Sequence, residues 1–144
     1  MVARWMTRRF PHPYTRADAE AWVAIAAGAA PQHFAVEVDG ALAGGIGFTP
    51  YEDERSGSGF FGYWLGRGYW GRGIGTDAAR MFSQYVFRDG GLRRLEATVF
   101  APNVASARVL EKCGFALEAR LPAYYLDRSD VVCDGLLYGR VLID

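Results

Sequence analysis

Apolar positions along the chain change their spacing several times, and each change marks an element. In "TRADAEAWVAIAA" (15–27), Ala17, Ala21, Trp22 and Ile25 share one face at helical spacing, and Thr15 and Asp18 stand like a capping box. That helix is expected to end near Gly28. "HFAVEV" and "ALAGGIGFT" are two apolar runs joined by Asp39 and Gly40, which can supply the positive φ angles of a tight hairpin turn. An acidic, then small-residue loop (51–59) leads to the strand "FFGYWL" (60–65). After three alternate glycines, Ala78, Met81, Phe82, Tyr85 and Val86 return at helical spacing.

"RRLEATVF" (93–100) alternates as a strand does, with Leu95, Ala97 and Val99 on one side and Glu96 and Thr98 on the other. "APN" breaks it. "VASARVLEK" then makes a short helix stopped by Gly114. "FALEARLPAYYL" and "VVCDGLLYGRVLI" are closing strands around the turn "DRSD", and Pro122 marks its strand as an edge or as kinked. The order is helix, three strands, helix, strand, helix, two strands. This is a mixed α/β (α+β) domain without repeats or linkers. The pattern also starts in a helix-like segment, "VARWMTRRF", ahead of a proline-stiffened turn at 10–14.

Composition narrows the function classes. The chain has 144 residues, 51% of them hydrophobic, enough for one domain with a real core. Sixteen basic residues balance sixteen acidic ones, so no net field recommends nucleic acid or an anionic membrane. No apolar run has spanning length, and the arginine-rich start lacks a signal-peptide core. Cys113 and Cys133 are too few for a disulfide framework and lack metal-ligand spacing, so no metal is expected. A soluble cytoplasmic domain is the expectation.

The segment Trp70, Gly71, Arg72, Gly73, Ile74, Gly75, Thr76 carries the most local chemistry. A Walker A loop would need lysine where Ile74 stands, and a Rossmann fingerprint would need glycine or alanine at Thr76. Both motifs fail. Their shared physics remains: a strand feeding a glycine loop into a helix presents free amides and the positive end of the helix dipole. On local sequence, an anion site and a plain strand-to-helix turn both stand.

"GYWLGRGYWGRGIGTDAARMF" together with "LEATVFAPNVASARVLEKCGF" resembles the two core motifs of the GNAT superfamily of acetyl-coenzyme A-dependent N-acetyltransferases. The flavour is that of the Rim-type branch, which includes enzymes acetylating the N-termini of ribosomal proteins. The resemblance runs from about Phe34 to the end. It implies a mostly antiparallel central sheet with flanking helices, here lacking the family's first strand. It also implies acetyl-coenzyme A as cosubstrate. Trp70 through Thr76 would form the pyrophosphate loop, with Trp64 and Leu65 pairing the pantetheine amides like a further strand. Asn103 would hydrogen-bond the pantetheine arm, and Ser106 would lie near the thioester sulfur. By residue chemistry alone, Asn103 also reads as an ordinary helix N-cap and Ser106 as a small residue facing the sheet.

Three positions depart from the superfamily pattern. Trp70 replaces the usual Gln or Arg, a Rim-type feature. The tyrosine many relatives use as general acid falls at Leu110, and the acidic residue often entering the central strand falls at Phe60. The missing first strand is a shortened start, an edge that a partner chain completes or an edge left exposed; because an unpaired edge invites pairing, a homodimer is the favoured expectation.

The implied chemistry is direct acetyl transfer to a primary amine, on a protein N-terminus or a small metabolite. An α-amine with a pKa of ~7.7–8.0 costs roughly 1 kcal/mol to deprotonate at pH 7, against about 4.6 kcal/mol for lysine near ~10.4. Without an evident base, the α-amine is the easier acceptor. Glu52, Asp53, Glu54, Glu96 and Glu118 are candidate proton acceptors, none singled out by spacing. Tyr124 and Tyr125 are candidate groove or core residues. A thiolate needs little acid help, since thiols ionise near ~8.5. The vacancies at Phe60 and Leu110 support a second class of function, a catalytically silent acetyl-coenzyme A-binding sensor or interaction module.

Overall fold

The computed structural model describes residues 15–27 and 32–142. The segments 2–14 and 28–31, with the predicted first helix, proline turn and Gly28, lie outside the described residues. Helix α1 (Arg16–Ala27) opens on the predicted capping box: the Thr15 amide donates to Asp18 Oδ2 at 2.9 Å, and the Asp18 amide donates to Thr15 Oγ1 at 3.2 Å. Ala17 and Ala21 of its predicted apolar face are exposed, and the side chains of Trp22 and Ile25 lie outside the description.

The strands β1 (His33–Val38) and β2 (Ala41–Pro50) form the predicted hairpin, with φ of 50° at Asp39 and 79° at Gly40. Both values belong to the primed turn that matches strand twist. Next come β3 (Ser58–Leu65), a 3₁₀ turn (Arg67–Tyr69), α2 (Ile74–Asp89), β4 (Arg94–Phe100), α3 (Val104–Lys112), β5 (Ala116–Leu126) and β6 (Val132–Val141). One six-stranded sheet runs β1-β2-β3-β4-β6-β5, antiparallel everywhere except between β3 and β4. This is the expected mixed fold. β1 is a sheet edge, and the segment ahead of α1, where a further strand would fall, lies outside the described residues.

The Pro122 strand is both an edge and kinked. Ala123 adopts φ of 50°, the β5–β6 register shifts between Leu121 and Tyr125, and Asp134 accepts the freed Ala123 amide at 2.9 Å. At the other end of the sheet, β2 lies against β3 closely enough that a Cβ on Gly44 would collide with the Trp64 carbonyl oxygen. A Cβ on Gly45 would come 2.7 Å from Trp64 Nε1. Gly44 thus lets the two backbones approach, and Gly45 lets the Trp64 indole lie over β2.

Helices α2 and α3 cover the same face of the sheet. Leu95, Ala97 and Val99 from β4 meet Ala79, Phe82 and Val86 from α2 and Ala107 and Leu110 from α3. Of the predicted α2 stripe, Phe82 and Val86 are buried and Ala78 and Tyr85 half-buried, while Gly75, Ala79 and Ser83 complete the buried face. Met81 is 70% exposed, whereas Ser83 is fully buried and returns its hydroxyl to the Ala79 carbonyl at 2.6 Å. That internal bond lets a hydroxyl occupy the core.

Three tyrosines bind the fold through phenols held neutral. Burial pushes Tyr138 up to about 12, with help from its 2.9 Å bond to Glu111; burial does the same for Tyr51, which bonds Glu96. Tyr125 is also pushed up to about 12, by burial and then by neighbouring Tyr124. A phenol raised above its unfolded value of about 10 stabilises the fold fully below that pH, and the contribution is lost as pH rises through the folded value. Denaturant midpoints should therefore fall between pH 10 and about 12. Tyr138→Phe should flatten that fall, and an unflattened profile would discount the buried phenol as its source.

Candidate functional site

Pairing between β3 and β4 lasts for three residue pairs only, Ser58–Arg94, Gly59–Leu95 and Phe60–Glu96. Beyond them β3 pairs only with β2, and β4 only with β6. The parallel strands therefore part into a wedge that opens at their carboxyl ends, where ligands of open α/β sheets bind. The wedge-facing edge of Trp64 and Leu65 has no strand partner, as the pantetheine reading requires. Beyond β3 lies the glycine loop, and beyond β4 lies Asn103. Both helices begin at the mouth of the wedge.

At the glycine loop, Gly71 and Gly73 have φ of 71° and 76°, and a Cβ built on either would meet nothing within 4 Å. Gly73 is the N-cap of α2 and offers no side-chain cap. The first helical bond runs from Asp77 back to Gly73, and among the described residues no acceptor meets the amides of Arg72, Gly73, Ile74, Gly75 or Thr76. Open space above bare amides fits an anion. Gly75 serves packing instead, since a Cβ there would come 3.2 Å from Leu65 Cδ1. The Trp70 indole donates to the Leu65 carbonyl at 3.0 Å and so ties the loop to the end of β3. Arg72 places its guanidinium 5.7 Å from the Tyr69 ring centroid.

On the other arm, Asn103 is the N-cap of α3, and its Oδ1 accepts the Ser106 amide at 3.4 Å. The cap reading holds, and the side-chain amide nitrogen has no protein partner among the described residues. Ser106 Oγ lies 3.3 Å from the Tyr63 hydroxyl of β3, so one polar contact joins the two arms. Burial pushes the Tyr63 phenol up, against the opposing effect of Ser106. Tyr63 escaped the sequence reading. Its alternation with buried Phe61 and Leu65 was the available signal, because that pattern turns it toward the helices.

Leu110 is 1% exposed and belongs to the core, while Phe60 points to the opposite sheet face and is partly exposed. Of the five candidate carboxylates, Glu96 alone stands at the fork of the wedge, on the face away from the helices. Its Oε1 accepts the Tyr51 hydroxyl at 2.7 Å, and its Oε2 accepts Arg94 at 3.0 Å. Glu118 is held by the same Arg94 at 2.6 Å, which lowers its pKa. Asp53, bonded by Arg55, falls to about 2 on the surface. Glu52 and Glu54 are exposed. Tyr125 stacks on Phe100 at 4.1 Å and reaches the Thr98 carbonyl at 3.4 Å, so it packs against β4. Cys113 is buried as expected, its thiol donating to the Thr76 carbonyl at 3.3 Å.

Comparison with known proteins places this geometry. A probable N-acetyltransferase of Bacillus subtilis (strain 168), YjcK, is 46% identical over 59 residues, which are 41% of this chain and 33% of that protein. The chain thus matches about a third of that relative's length. A GNAT-family acetyltransferase structure from Bacillus anthracis superposes with a TM-score of 0.77 at 27% identity, covering 89% of this chain and 75% of the other. Mycobacterium smegmatis RimJ, in complex with CoA-disulfide, gives 0.80 at 26% identity, covering 97% and 70%. A general GNAT structure and a Rim-type one match about equally, so the Rim-type branch is not singled out. The description "Acetyltransferase (GNAT) domain" matches residues 1–116, and with wedge, glycine loop and the Asn103-capped α3 all in place, the chain belongs to the GNAT acetyltransferase family.

Proposed function

We propose that this protein is an N-acetyltransferase that moves an acetyl group from acetyl-coenzyme A directly to a primary amine, with a Rim-type preference for α-amines. The observation that carries the reading is the wedge between β3 and β4, with the uncapped glycine loop on one arm and Ser106 on the other. The amides of 72–76 would hold the pyrophosphate, and the unpaired edge of Trp64 and Leu65 would hold the pantetheine. The free amide of Asn103 would steady the same arm.

Acetyl-coenzyme A supplies an activated thioester carbonyl when bound. The chain's own groups govern what surrounds it. A backbone amide near Leu65 would polarise the carbonyl oxygen. Ser106 would donate a hydrogen bond to the sulfur, which leaves as a thiolate with the C–S electron pair as the amine nitrogen bonds to the acetyl carbon. The amine's proton passes to water or to Glu96, which is held between Tyr51 and Arg94. Arg94 carries one positive charge against Glu96 and Glu118, so the cluster keeps one net negative charge at the fork. That excess favours approach of an ammonium from the open sheet face.

Release of free thiol from acetyl-coenzyme A, measured over N-terminal peptides, polyamines and small amine metabolites, tests the reading. Turnover is expected with at least one low-pKa amine, and weaker or no turnover with lysine side chains. Silence across every amine class, with acetyl-coenzyme A still binding, would leave the sensor or interaction module as the better account.

A further inference from the structure

We propose that Tyr63 is a positioning residue that fixes the direction of the Ser106 hydroxyl, so that its hydrogen points into the wedge at the sulfur. The inference rests on the transferase reading's assignment of the coenzyme to the wedge, and it concerns a residue that neither the family pattern nor the sequence singled out. A serine hydroxyl rotates freely, carrying one hydrogen and two lone pairs. An undirected hydroxyl at a helix N-terminus can spend its hydrogen on a local carbonyl or on water. The Tyr63 hydroxyl stands 3.3 Å from Ser106 Oγ and has no other partner among the described residues.

Either hydroxyl can donate across 3.3 Å, and the proposal gives the donor role to Tyr63. Tyr63 sits between β3 and the helices, where Phe61 stacks beside it with ring centroids 6.0 Å apart and Gly75 of α2 approaches its Cε2 edge. Burial raises its pKa, so the phenol keeps its hydrogen, which in the proposed arrangement it gives to the serine. Ser106 Oγ then accepts from Tyr63. The rest of the Ser106 residue is already placed, because Asn103 Oδ1 caps its amide. With one lone pair engaged by the phenol, the serine hydrogen is turned away from Tyr63, toward the space between the strands. No proton leaves Tyr63 during transfer: the C–S pair goes to sulfur, the thiolate accepts the Ser106 hydrogen bond, and the amine's proton leaves separately.

The bond can be read without any acceptor amine. Affinities of coenzyme A and of desulfo-coenzyme A, which lacks the thiol, are compared between pH 7 and 10 by calorimetry. Because Ser106 donates to the thiolate, wild-type protein should gain affinity for coenzyme A over the desulfo analogue by roughly tenfold as the thiol ionises. Ser106→Ala should abolish that gain. Tyr63→Phe should cut it to about a third, and the double variant should match Ser106→Ala, since Tyr63 acts only through the serine. In steady-state turnover with an amine acceptor, Tyr63→Phe should lower kcat with KM for acetyl-coenzyme A unchanged. Should Tyr63→Phe not fold, the same contact is read from the other side: Ser106→Ala should shift the Tyr63 titration, and an unshifted titration would overturn the contact. An unchanged thiol dependence in Tyr63→Phe, or a double variant worse than Ser106→Ala, would overturn the role. Failure of desulfo-coenzyme A to bind wild-type protein would overturn the cofactor reading itself, a different and recognisable result.

Discussion

Replacing Gly73 with valine is expected to weaken coenzyme A binding by roughly a hundredfold, the equivalent of two lost charge-assisted hydrogen bonds. Two effects act together. The backbone at Gly73 has φ of 76°, which a β-branched residue adopts only with strain of about 1–2 kcal/mol. The new side chain would also occupy the open space above the bare amides, where the phosphates are assigned. Strain alone would lower stability without touching affinity, so a matched control separates the two. Gly40 has φ of 79° and the same open surroundings, but it belongs to the β1–β2 turn and not to the β3–β4 pair or the glycine loop. Gly40→Val should lose comparable stability and bind coenzyme A normally. Equal affinities for the two variants, measured by calorimetry, would remove the phosphate cradle from this loop.

The three alternate glycines thus divide their labour, and only part of that division was legible in the sequence. That a glycine loop before a helix suits an anion follows from local geometry. That Gly75 is a packing residue does not, because its neighbours Leu65 and Val109 come from elsewhere in the chain. The same boundary runs through the whole molecule. The Asp39–Gly40 turn, the Thr15–Asp18 box, the kink at Pro122 and the buried Cys113 are encoded within a few residues and were readable. The shortness of the β3–β4 pairing was not, since nothing in "FFGYWL" or "RRLEATVF" states how far two parallel strands stay together. Nor was the meeting of Tyr63 with Ser106, which are 43 residues apart. Glu96 stood equal with four other carboxylates until the sheet register placed it opposite Phe60 at the fork. Trp70 was read as a mark of the branch, whereas its indole bond to the Leu65 carbonyl gives it a physical task in any branch.

The wedge depends on what fills its floor, and Phe61 is the residue to remove. It follows immediately after the last β3–β4 pair, at Phe60, and is 1% exposed. Its ring stacks against Phe115 at 5.7 Å, Phe82 at 5.9 Å and Tyr63 at 6.0 Å, so it touches β5's entry, α2 and its own strand at once. Where two strands stop pairing, backbone hydrogen bonds no longer set their separation, and side-chain packing must. Phe61→Ala should cost about 3–5 kcal/mol, the loss of a buried aromatic plus an unfilled cavity. Against a total of roughly 5–15 kcal/mol for a domain, that change should bring the protein close to unfolding at ordinary temperature. Phe61→Leu, which keeps more of the volume, should lose distinctly less, and urea titration of the pair reports the difference. A Phe61→Ala midpoint within about 1 kcal/mol of wild type would mean that the strands hold their angle without the stack. In that event the divergence would have to be built into the backbone of β3 itself, and the support of Tyr63 would need another source than the ring beside it.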